Sequence, residues 1–400
     1  MTGIIARGGL RGVPQSARRT PPHDHARPTI LSAVDNITHS LLGAALAKTR
    51  LGQAAPFAAV ALVAAANLPD CENAILVFCD RSTRMIQHRG VTHGLLGIAL
   101  EIPLFALLMW WLGKRFARAR PPGSLGALLL GVALATLSHP LLDWCNTYGW
   151  RPWLPFDGTW YYGDLLFIVD PWLWLLLGAA VCLAGRRTTA GSIALAAFAV
   201  VLSVVIVLNG ERGPRALQIA WPAVILALAL ARWSGFGRRH GGAVVLTTLA
   251  LAVAYVGFLG WAGRTAWRMA EPVIAAQLPS GETISAHTIS PQPANPFRWQ
   301  IVAETQHAVY RAEVSIQDGP GDPERVPNHL DDPLVQRVAD SREGRAWRAF
   351  ARNPVATIVP DGHGGQRVYL LDARYGMRPG RGFGGLSVDV PAAAPEHPAR

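Results

Sequence analysis

Apolar residues in this chain are gathered into blocks of about 20, which are separated by short polar gaps. The longest blocks cover about residues 94–112, 124–143, 166–184, 191–208, 215–232 and 241–261. An α-helix rises 1.5 Å per residue, so about 20 apolar residues cross the ~30 Å hydrocarbon core of a bilayer. The pattern therefore predicts about six transmembrane helices.

Two shorter apolar pieces precede these blocks. They cover Ser40–Ala47 and Ala54–Ala66 and are joined by a polar stretch. Each piece is too short to cross the hydrocarbon core by itself, because a span needs about 20 residues. We therefore predict a re-entrant or interfacial helical hairpin, which would bring His39 and Asp70 to the same end.

The last third of the chain follows a different pattern. From residue 265 onward charged residues return, and the runs Trp299–Ala303 and Ala308–Ile316 alternate or favour β-branched residues. Such runs between Gly and Pro residues are typical of β-strands. We predict a β-rich soluble domain over residues 265–385 and a disordered tail over residues 386–400.

Composition supports a membrane protein. Half of the residues (50%) are hydrophobic and only 16% are charged, against about 25% charged in soluble domains. The net charge of +11 comes from basic residues in the gaps between apolar blocks, which is typical of loops beside spans and not of a nucleic-acid patch. We therefore expect no nucleic-acid partner. The predicted fold is a polytopic α-helical membrane protein with a C-terminal β-rich soluble domain.

The basic gaps also predict the orientation in the membrane. Gaps 113–122, 185–190 and 232–240 hold most of the loop arginines, and the positive-inside rule places them in the cytoplasm. The gap 144–165, which is rich in Trp and Tyr, and everything after residue 262 then face outward. Abundant Arg, Ala, Gly and Pro with scarce Lys indicate a GC-rich genome, which is typical of bacteria. For a polytopic helical protein of a bacterium we expect the inner membrane.

The first 34 residues are rich in Arg and Pro and lack the apolar core of a secretory signal peptide. We predict a disordered basic extension over residues 1–34. By the positive-inside rule its arginines would hold the N-terminus in the cytoplasm. His39 is expected on the outer face, yet no predicted span lies between this extension and His39. Our hypothesis is that translation starts at Val34, read from a GTG codon. Residues 35–184 then form the main membrane domain, and residues 185–264 add further transmembrane helices.

A short motif occurs three times. Thr38-His39-Ser40-Leu41-Leu42-Gly43 recurs as Thr92-His93-Gly94-Leu95-Leu96-Gly97, and Ser138-His139-Pro140-Leu141-Leu142 is a weaker third copy. Because Thr or Ser can cap a helix N-terminus, each His is predicted to project from a first helical turn at the membrane edge. A single His at such a position would more simply be a polar residue whose hydrogen bonds are satisfied. Three copies indicate a shared site.

Carboxylates accompany these histidines. Asp70 follows the helix-breaking Pro69, and Asp143 stands four residues after His139, on the same helix face. Ionisable residues at membrane depth are costly and functional by default. Imidazole and carboxylate donors without cysteine suit Zn²⁺, Mn²⁺ or Fe²⁺ at a hydrolytic centre. With five to seven candidate ligands in the sequence, one or two ions can be accommodated.

Three residues are candidates for catalysis. Asp70 or Glu72 could hold the attacking water, and Glu72 could equally be a ligand or a general base. Arg89 could neutralise a substrate phosphate through two hydrogen bonds, or it could contact a lipid headgroup. We therefore assign Asp70, Glu72 and Arg89 as candidate catalytic residues.

Taken as a set, these motifs resemble the bacterial membrane-bound metal-dependent hydrolases, the group that includes the LexA-regulated inner-membrane hydrolases. The resemblance covers about residues 35–175 and rests on Asp35-Asn36-Ile37-Thr38-His39-Ser40, Asn67-Leu68-Pro69-Asp70, His88-Arg89-Gly90-Val91-Thr92-His93 and His139-Pro140-Leu141-Leu142-Asp143. It implies metal-dependent hydrolysis, with His39, Asp70, His88, His93, His139 and Asp143 as ligands. The family's Asp-x-Asp is here Asp70-Cys71-Glu72, which leaves the role of Glu72 open.

We therefore expect a hydrolase of an ester or phosphoester at the membrane surface, with a metal-activated water as nucleophile. Zn²⁺ is the first candidate metal, and a membrane lipid or envelope precursor is the expected substrate. The first alternative is a non-catalytic metal-binding scaffold that binds an envelope partner. A transporter is a weaker alternative, because the later spans lack acidic residues.

Overall fold

The computed structural model describes residues 30–117, 123–208, 215–362, 364–379 and 384–391. The predicted basic extension therefore lies outside the described residues up to residue 29. The helical part begins with α1 (Ile30–Leu46), α2 (Ala58–Ala65), α3 (Asn73–Leu76), α4 (Arg81–Gln87), α5 (Leu95–Phe116) and α6 (Leu125–Cys145). It continues with α7 (Pro171–Ala184), α8 (Thr189–Leu208), α9 (Arg215–Ser234), α10 (Phe236–Arg239) and α11 (Gly241–Ala275).

The two short apolar pieces form a helical hairpin, as the sequence predicts. α1 packs against α2 at Gly43, where an added Cβ would lie 2.7 Å from the carbonyl oxygen of Leu62. Asn67 Nδ2 donates to Ser40 Oγ at 3.1 Å and joins the two ends. A 3₁₀ turn at Pro69–Glu72 then bends the chain by 68°, so this segment is either a broken span or a re-entrant loop.

Four described helices are long and apolar enough to cross a membrane, and the bent segment would make a fifth. The four are Leu95–Phe116, Leu125–Cys145, Thr189–Ile206 and Gly241–Ala275. The prediction of about six spans is thus not confirmed. The block at 166–184 gives only the 14-residue α7, because the side chain of Asp170 caps the helix directly before Pro171. α9 is likewise among the shorter apolar helices.

α11 extends well beyond its predicted end at residue 261. Its 35 residues run to Ala275, so the predicted boundary at 264 and 265 falls inside a helix. Small residues allow this continuation, because they let the sheet approach closely: a Cβ at Gly263 would lie 2.9 Å from the Trp299 ring. The last turns of α11 are therefore part of the C-terminal core.

The C-terminal part contains two antiparallel sheets and two short helices. The first sheet has the strands β1 (Ala286–Gln292), β2 (Asn295–Glu304), β3 (Ala308–Ser315), β4 (Gly319–Pro320) and β5 (Glu324–Pro327), with β4 and β5 both pairing with β3. After α12 (Pro333–Ala339) and α13 (Arg342–Phe350), the second sheet has β6 (Pro354–Pro360), β7 (Gln366–Asp372) and β8 (Leu386–Val390). A β-rich C-terminal region is thus what the sequence predicts.

The predicted tail begins too early. Leu386–Val390 forms β8, which pairs antiparallel with β7. The physical reason is the alternation of Leu386, Val388 and Val390, whose side chains pack against the cluster around Trp347. Residues 392–400 lie outside the described part of the chain.

Candidate metal centre

Five side chains from four separate segments converge where the hairpin meets the start of α5 and the end of α6. They are His39 of α1, Asp70 of the 3₁₀ turn, His93 before α5, and His139 and Asp143 of α6. Ligand atoms of His39, His139 and Asp143 lie within 4.8 Å of one another, and so do those of Asp70, His93 and His139. Because both groups contain His139, they form a single cluster.

The three copies of the repeated motif occupy different positions in their helices. His39 lies inside α1, His93 precedes α5, and His139 lies near the end of α6. The prediction that each copy starts a helix is therefore wrong. In α6 apolar residues also precede the motif, so the helix is already formed there and Ser138 Oγ donates back to Ala135 O at 2.7 Å. The three imidazoles nevertheless meet at one point.

Four acceptor atoms define the centre of the cluster. His93 Nε2 and His139 Nε2 are 3.2 Å apart. Asp70 Oδ1 lies 3.4 Å from the first nitrogen and 3.9 Å from the second, and Asp143 Oδ2 lies 3.5 and 3.6 Å from them. The corners of a tetrahedron around Zn²⁺, with bonds of ~2.0–2.1 Å, are about 3.3 Å apart. These distances are therefore compatible with both nitrogens and either carboxylate oxygen facing one ion.

Hydrogen bonds on the far side of each ring determine which nitrogen carries the proton. Thr92 donates its one hydroxyl proton to Glu72 Oε2 at 2.7 Å, so its oxygen accepts from His93 Nδ1 at 3.2 Å. The Ala66 carbonyl oxygen accepts from His139 Nδ1 at 2.8 Å. A neutral imidazole has one N–H. Each Nδ1 therefore carries a hydrogen, so that the neutral ring, which is the form that binds a metal, presents its Nε2 lone pair to the centre.

This donor set fits a divalent cation. Two lone pairs 3.2 Å apart between two carboxylates repel one another unless a positive charge lies among them. Solvent does not screen this repulsion, because His39, His93, His139 and Asp143 are at most 1% exposed. Nitrogen and oxygen donors without thiolate suit Zn²⁺, Mn²⁺ or Fe²⁺. The side chain of Asp70, 11% exposed, forms the accessible edge.

The second oxygen of Asp143 links the centre to Arg89 and His39. Asp143 Oδ1 lies 2.8 Å from Arg89 Nη2 and 3.6 Å from His39 Nε2. The His39 ring stacks on the ring of His139, with centroids 3.7 Å apart. His39 is thus beside the four central atoms, where it can serve as a further donor to the same ion or to a neighbouring one.

Glu72 lies behind His93 and not at the centre. Its carboxylate accepts from Thr92 and from the Gly90 amide at 3.2 Å, and it lies 3.7 Å from His93 Nδ1. A carboxylate behind a ligand histidine orients the ring and strengthens its donor nitrogen, so the geometry favours this role for Glu72. His88, predicted as a ligand, is in neither ligand group and lies at the outer edge, 3.6 Å from Glu72 Oε1.

Arg89 is buried and engaged with protein partners. Its Nη1 donates to Asn146 Oδ1 at 3.2 Å and to Gly149 O at 2.8 Å, while Nη2 pairs with Asp143. The guanidinium also lies 4.5 Å above the Tyr148 ring. These contacts indicate that Arg89 holds Asp143 in place. They favour this role more than the predicted contact with a substrate phosphate.

The segment Asn146–Arg151 covers the cluster. Trp150 Nε1 donates to the carbonyl oxygen of His93 at 2.7 Å. Burial raises the pKa of the Tyr148 hydroxyl and lowers the pKa of the Arg151 guanidinium. Both shifts indicate dry surroundings, so this segment keeps bulk water from the centre on that side.

The roles of Thr92 and Asn146 are not predicted from the sequence. The repeated motif assigns Thr92 to a helix cap, although its hydroxyl in fact connects Glu72 to His93. Asn146 directly follows α6 and accepts from Arg89. The position of a hydroxyl residue next to a candidate ligand was a usable signal for Thr92. Asn146 belongs to the stretch Asn146-Thr147-Tyr148-Gly149, which also resembles the family, but its pairing with Arg89 has no local signal because the two residues are 57 positions apart.

A family model described as YdjM inner membrane protein matches residues 34–213, a little less than half of the chain. No curated protein and no solved structure matches the chain. The matched stretch contains the five clustered residues and ends before α9. The similarity and the apolar helices support an inner-membrane protein. The side of the membrane that the C-terminal domain occupies stays a prediction.

Proposed function

We propose that this protein is a membrane-bound metal-dependent hydrolase that cleaves an ester or phosphoester at the membrane surface. The observation that carries the proposal is the pair of bare nitrogens, His93 Nε2 and His139 Nε2, 3.2 Å apart between Asp70 and Asp143. Burying such a set of acceptors costs free energy unless a cation binds them. Zn²⁺ is the first candidate, with Mn²⁺ or Fe²⁺ as alternatives.

A divalent ion bound by these donors would lower the pKa of a water and supply positive charge for a displacement. The Asp70 side chain is at the exposed edge, and its second carboxylate oxygen, which is not among the central atoms, can accept a proton from an attacking water. Glu72 and Thr92 orient His93. His88 lies at the outer edge, 3.6 Å from Glu72 Oε1. Arg89 holds Asp143 in place.

The position of the cluster supports a substrate at the membrane surface. The cluster lies where α5 begins and α6 ends, and these helices are apolar enough to span a bilayer. Val91 and Leu95, beside His93, are 44% and 39% exposed. Apolar side chains beside a polar site are suited to the headgroup boundary. A membrane lipid or an envelope precursor is the substrate class that follows.

The test is hydrolysis by the detergent-purified full chain of a panel of lipid esters and lipid phosphoesters. We expect activity that a chelator removes and added metal restores. Asp70→Asn should abolish the activity, whereas the control His307→Ala, at a histidine with a 52% exposed side chain, should leave it unchanged. Activity that survives both the chelator and Asp70→Asn would contradict the proposal.

One observation favours the non-catalytic scaffold as a second candidate. Two imidazole nitrogens and two carboxylate oxygens of the protein already face the same centre, and a centre filled by protein donors is typical of structural sites. Water proton relaxation on the Mn²⁺-loaded protein separates the two functions. Rapidly exchanging water on the ion supports the hydrolase, and its absence supports the scaffold.

A further inference from the structure

The C-terminal domain contacts the segment that covers the cluster. Arg374, two residues after the end of β7, donates from Nη1 to the carbonyl oxygen of Thr147 at 2.6 Å. Thr147 lies between Asn146 and Tyr148, which both contact Arg89. A side chain of the distal domain is therefore one residue away from the partners of Arg89.

Arg374 is itself held rigidly. Its Nε and Nη2 donate to Asp372 Oδ2 at 2.9 and 2.6 Å, and Nη2 also donates to Phe350 O at 3.0 Å. The residue is only 7% exposed. Buried charge-assisted hydrogen bonds in this fork arrangement are short and strongly directional. The position of the donated Nη1 hydrogen is thus fixed by the C-terminal domain.

On the other side of Thr147 the contacts lead to the ligands. Asn146 Oδ1 accepts from the Tyr148 amide at 2.9 Å and from Arg89 Nη1 at 3.2 Å. Arg89 Nη2 in turn lies 2.8 Å from Asp143 Oδ1. Arg374 holds the turn at Thr147, and this turn therefore sets the position of Arg89. Within the described residues, Arg89 is the guanidinium paired with Asp143.

Further contacts hold the gap 144–165, which includes the covering segment, against the domain. Trp160 Nε1 donates to Ala349 O at 3.0 Å, and the Phe350 ring lies 5.1 Å from the Tyr148 ring. Arg352 also pairs with Asp164 at 2.8 Å. The contact of Arg374 is therefore part of a continuous interface and not an isolated hydrogen bond.

We propose that the C-terminal domain is a structural part of the metal centre, with Arg374 as a positioning residue that acts through Thr147, Asn146 and Arg89 on Asp143. The inference rests on the proposed function in so far as the cluster binds a metal. It assigns a role to a region that lies outside the matched residues 34–213. Among its described residues the domain thus contributes none of the five clustered side chains, but it fixes the geometry of one of them.

The test compares Arg374→Gln and Arg374→Lys with Arg367→Gln in the full chain. Arg367 lies on β7 of the same domain, and its ion pair with Asp389 is exposed, so it is the matched control. Metal affinity is measured by competition with a chromogenic chelator. Outer partners of metal ligands are worth about 10- to 100-fold in affinity. We expect a loss of this size for Gln, partial recovery for Lys, and no change for the control.

Hydrogen exchange of the metal-free proteins gives a readout that is independent of metal and activity. In Arg374→Gln the Tyr148 amide should exchange faster, while β2 and β3 keep their protection. If Arg374→Gln unfolds the domain, Trp160→Phe replaces it, because this variant lies outside the domain, keeps an aromatic ring and removes the indole N–H donated to Ala349. We expect a smaller loss of affinity and faster exchange of Tyr148 in that variant.

Three outcomes would be decisive. Wild-type affinity and unchanged Tyr148 exchange in a folded Arg374→Gln variant would overturn the inference and leave the proposed function intact. The same result in Trp160→Phe would overturn it where Arg374→Gln does not fold. A wild-type chain that binds no metal would instead contradict the proposed function, and the inference with it.

Discussion

At the scale of single residues, the chemistry of the cluster depends on where two imidazole protons lie. Thr92 and the Ala66 carbonyl place both protons on Nδ1, so the lone pairs of His93 and His139 face each other. The sequence indicates the ligand types, since His and Asp at these spacings suggest a shared site. It does not indicate the tautomers, because these depend on contacts such as the one between Thr92 and Glu72.

Replacing Thr92 tests the assignment of the His93 proton. Thr92→Val keeps the shape of the side chain but removes the acceptor of the Nδ1 hydrogen, so His93 loses its orientation. We expect metal affinity to fall by about 10- to 100-fold, measured by chelator competition. Thr92→Ser keeps the hydroxyl and should retain most of the affinity. Equal affinities for Val and Ser would show that the hydroxyl is not needed.

Arg89 offers a test of the buried charges. Arg89→Met leaves the buried carboxylate of Asp143 without its guanidinium, which should lower the free energy of unfolding by about 3–5 kcal/mol in metal-free protein. In Arg348→Met, which breaks an exposed pair with Asp340, the expected loss is at most about 1 kcal/mol. Denaturant unfolding in detergent compares the two. Similar small losses would mean that the Asp143 carboxylate does not need Arg89.

At the scale of helices and strands, sequence periodicity and block length were informative. The blocks at 94–112 and 124–143 correspond to α5 (Leu95–Phe116) and α6 (Leu125–Cys145). The repeated His motif was misleading about helix starts, since two copies that share five of six residues lie inside α1 and across the start of α5. Local sequence determines the apolar character of a segment, whereas packing determines where the helix begins.

The hairpin contact makes a prediction about helix packing. In Gly43→Ala the new methyl group would lie 2.7 Å from Leu62 O, so α1 must move away from α2. Overpacking of this kind costs about 1–3 kcal/mol. Gly257→Ala on α11, where no atom lies within 4 Å, should be neutral or slightly stabilising. Thermal unfolding in detergent measures both, and a harmless Gly43→Ala would contradict the close packing.

At the scale of the whole molecule, two features lay beyond the reach of sequence reasoning. The boundary between membrane helices and the C-terminal domain is not a linker, because α11 runs through it to Ala275. The contact between Arg374 and Thr147 joins residues 227 positions apart. Sequence periodicity does not indicate such a contact. Composition alone, however, distinguishes a membrane part from a β-rich part.

The orientation of the whole protein can be tested by labelling. The prediction places the C-terminal domain on the outer face. In a chain whose native cysteines are replaced by serine, a membrane-impermeant thiol reagent should label Asp318→Cys, in an exposed turn, in intact cells. It should label Arg186→Cys, in a predicted cytoplasmic loop, only after permeabilisation. The reverse pattern would place the domain in the cytoplasm.

The central claim is that the His and Asp cluster binds a metal ion. The most direct test is metal content by mass spectrometry on detergent-purified protein, beside a variant that combines Asp70→Ala, His93→Ala and Asp143→Ala. We expect one or two Zn²⁺, Mn²⁺ or Fe²⁺ ions per wild-type chain and none in the variant. Equal, near-zero metal in two folded samples would contradict this claim.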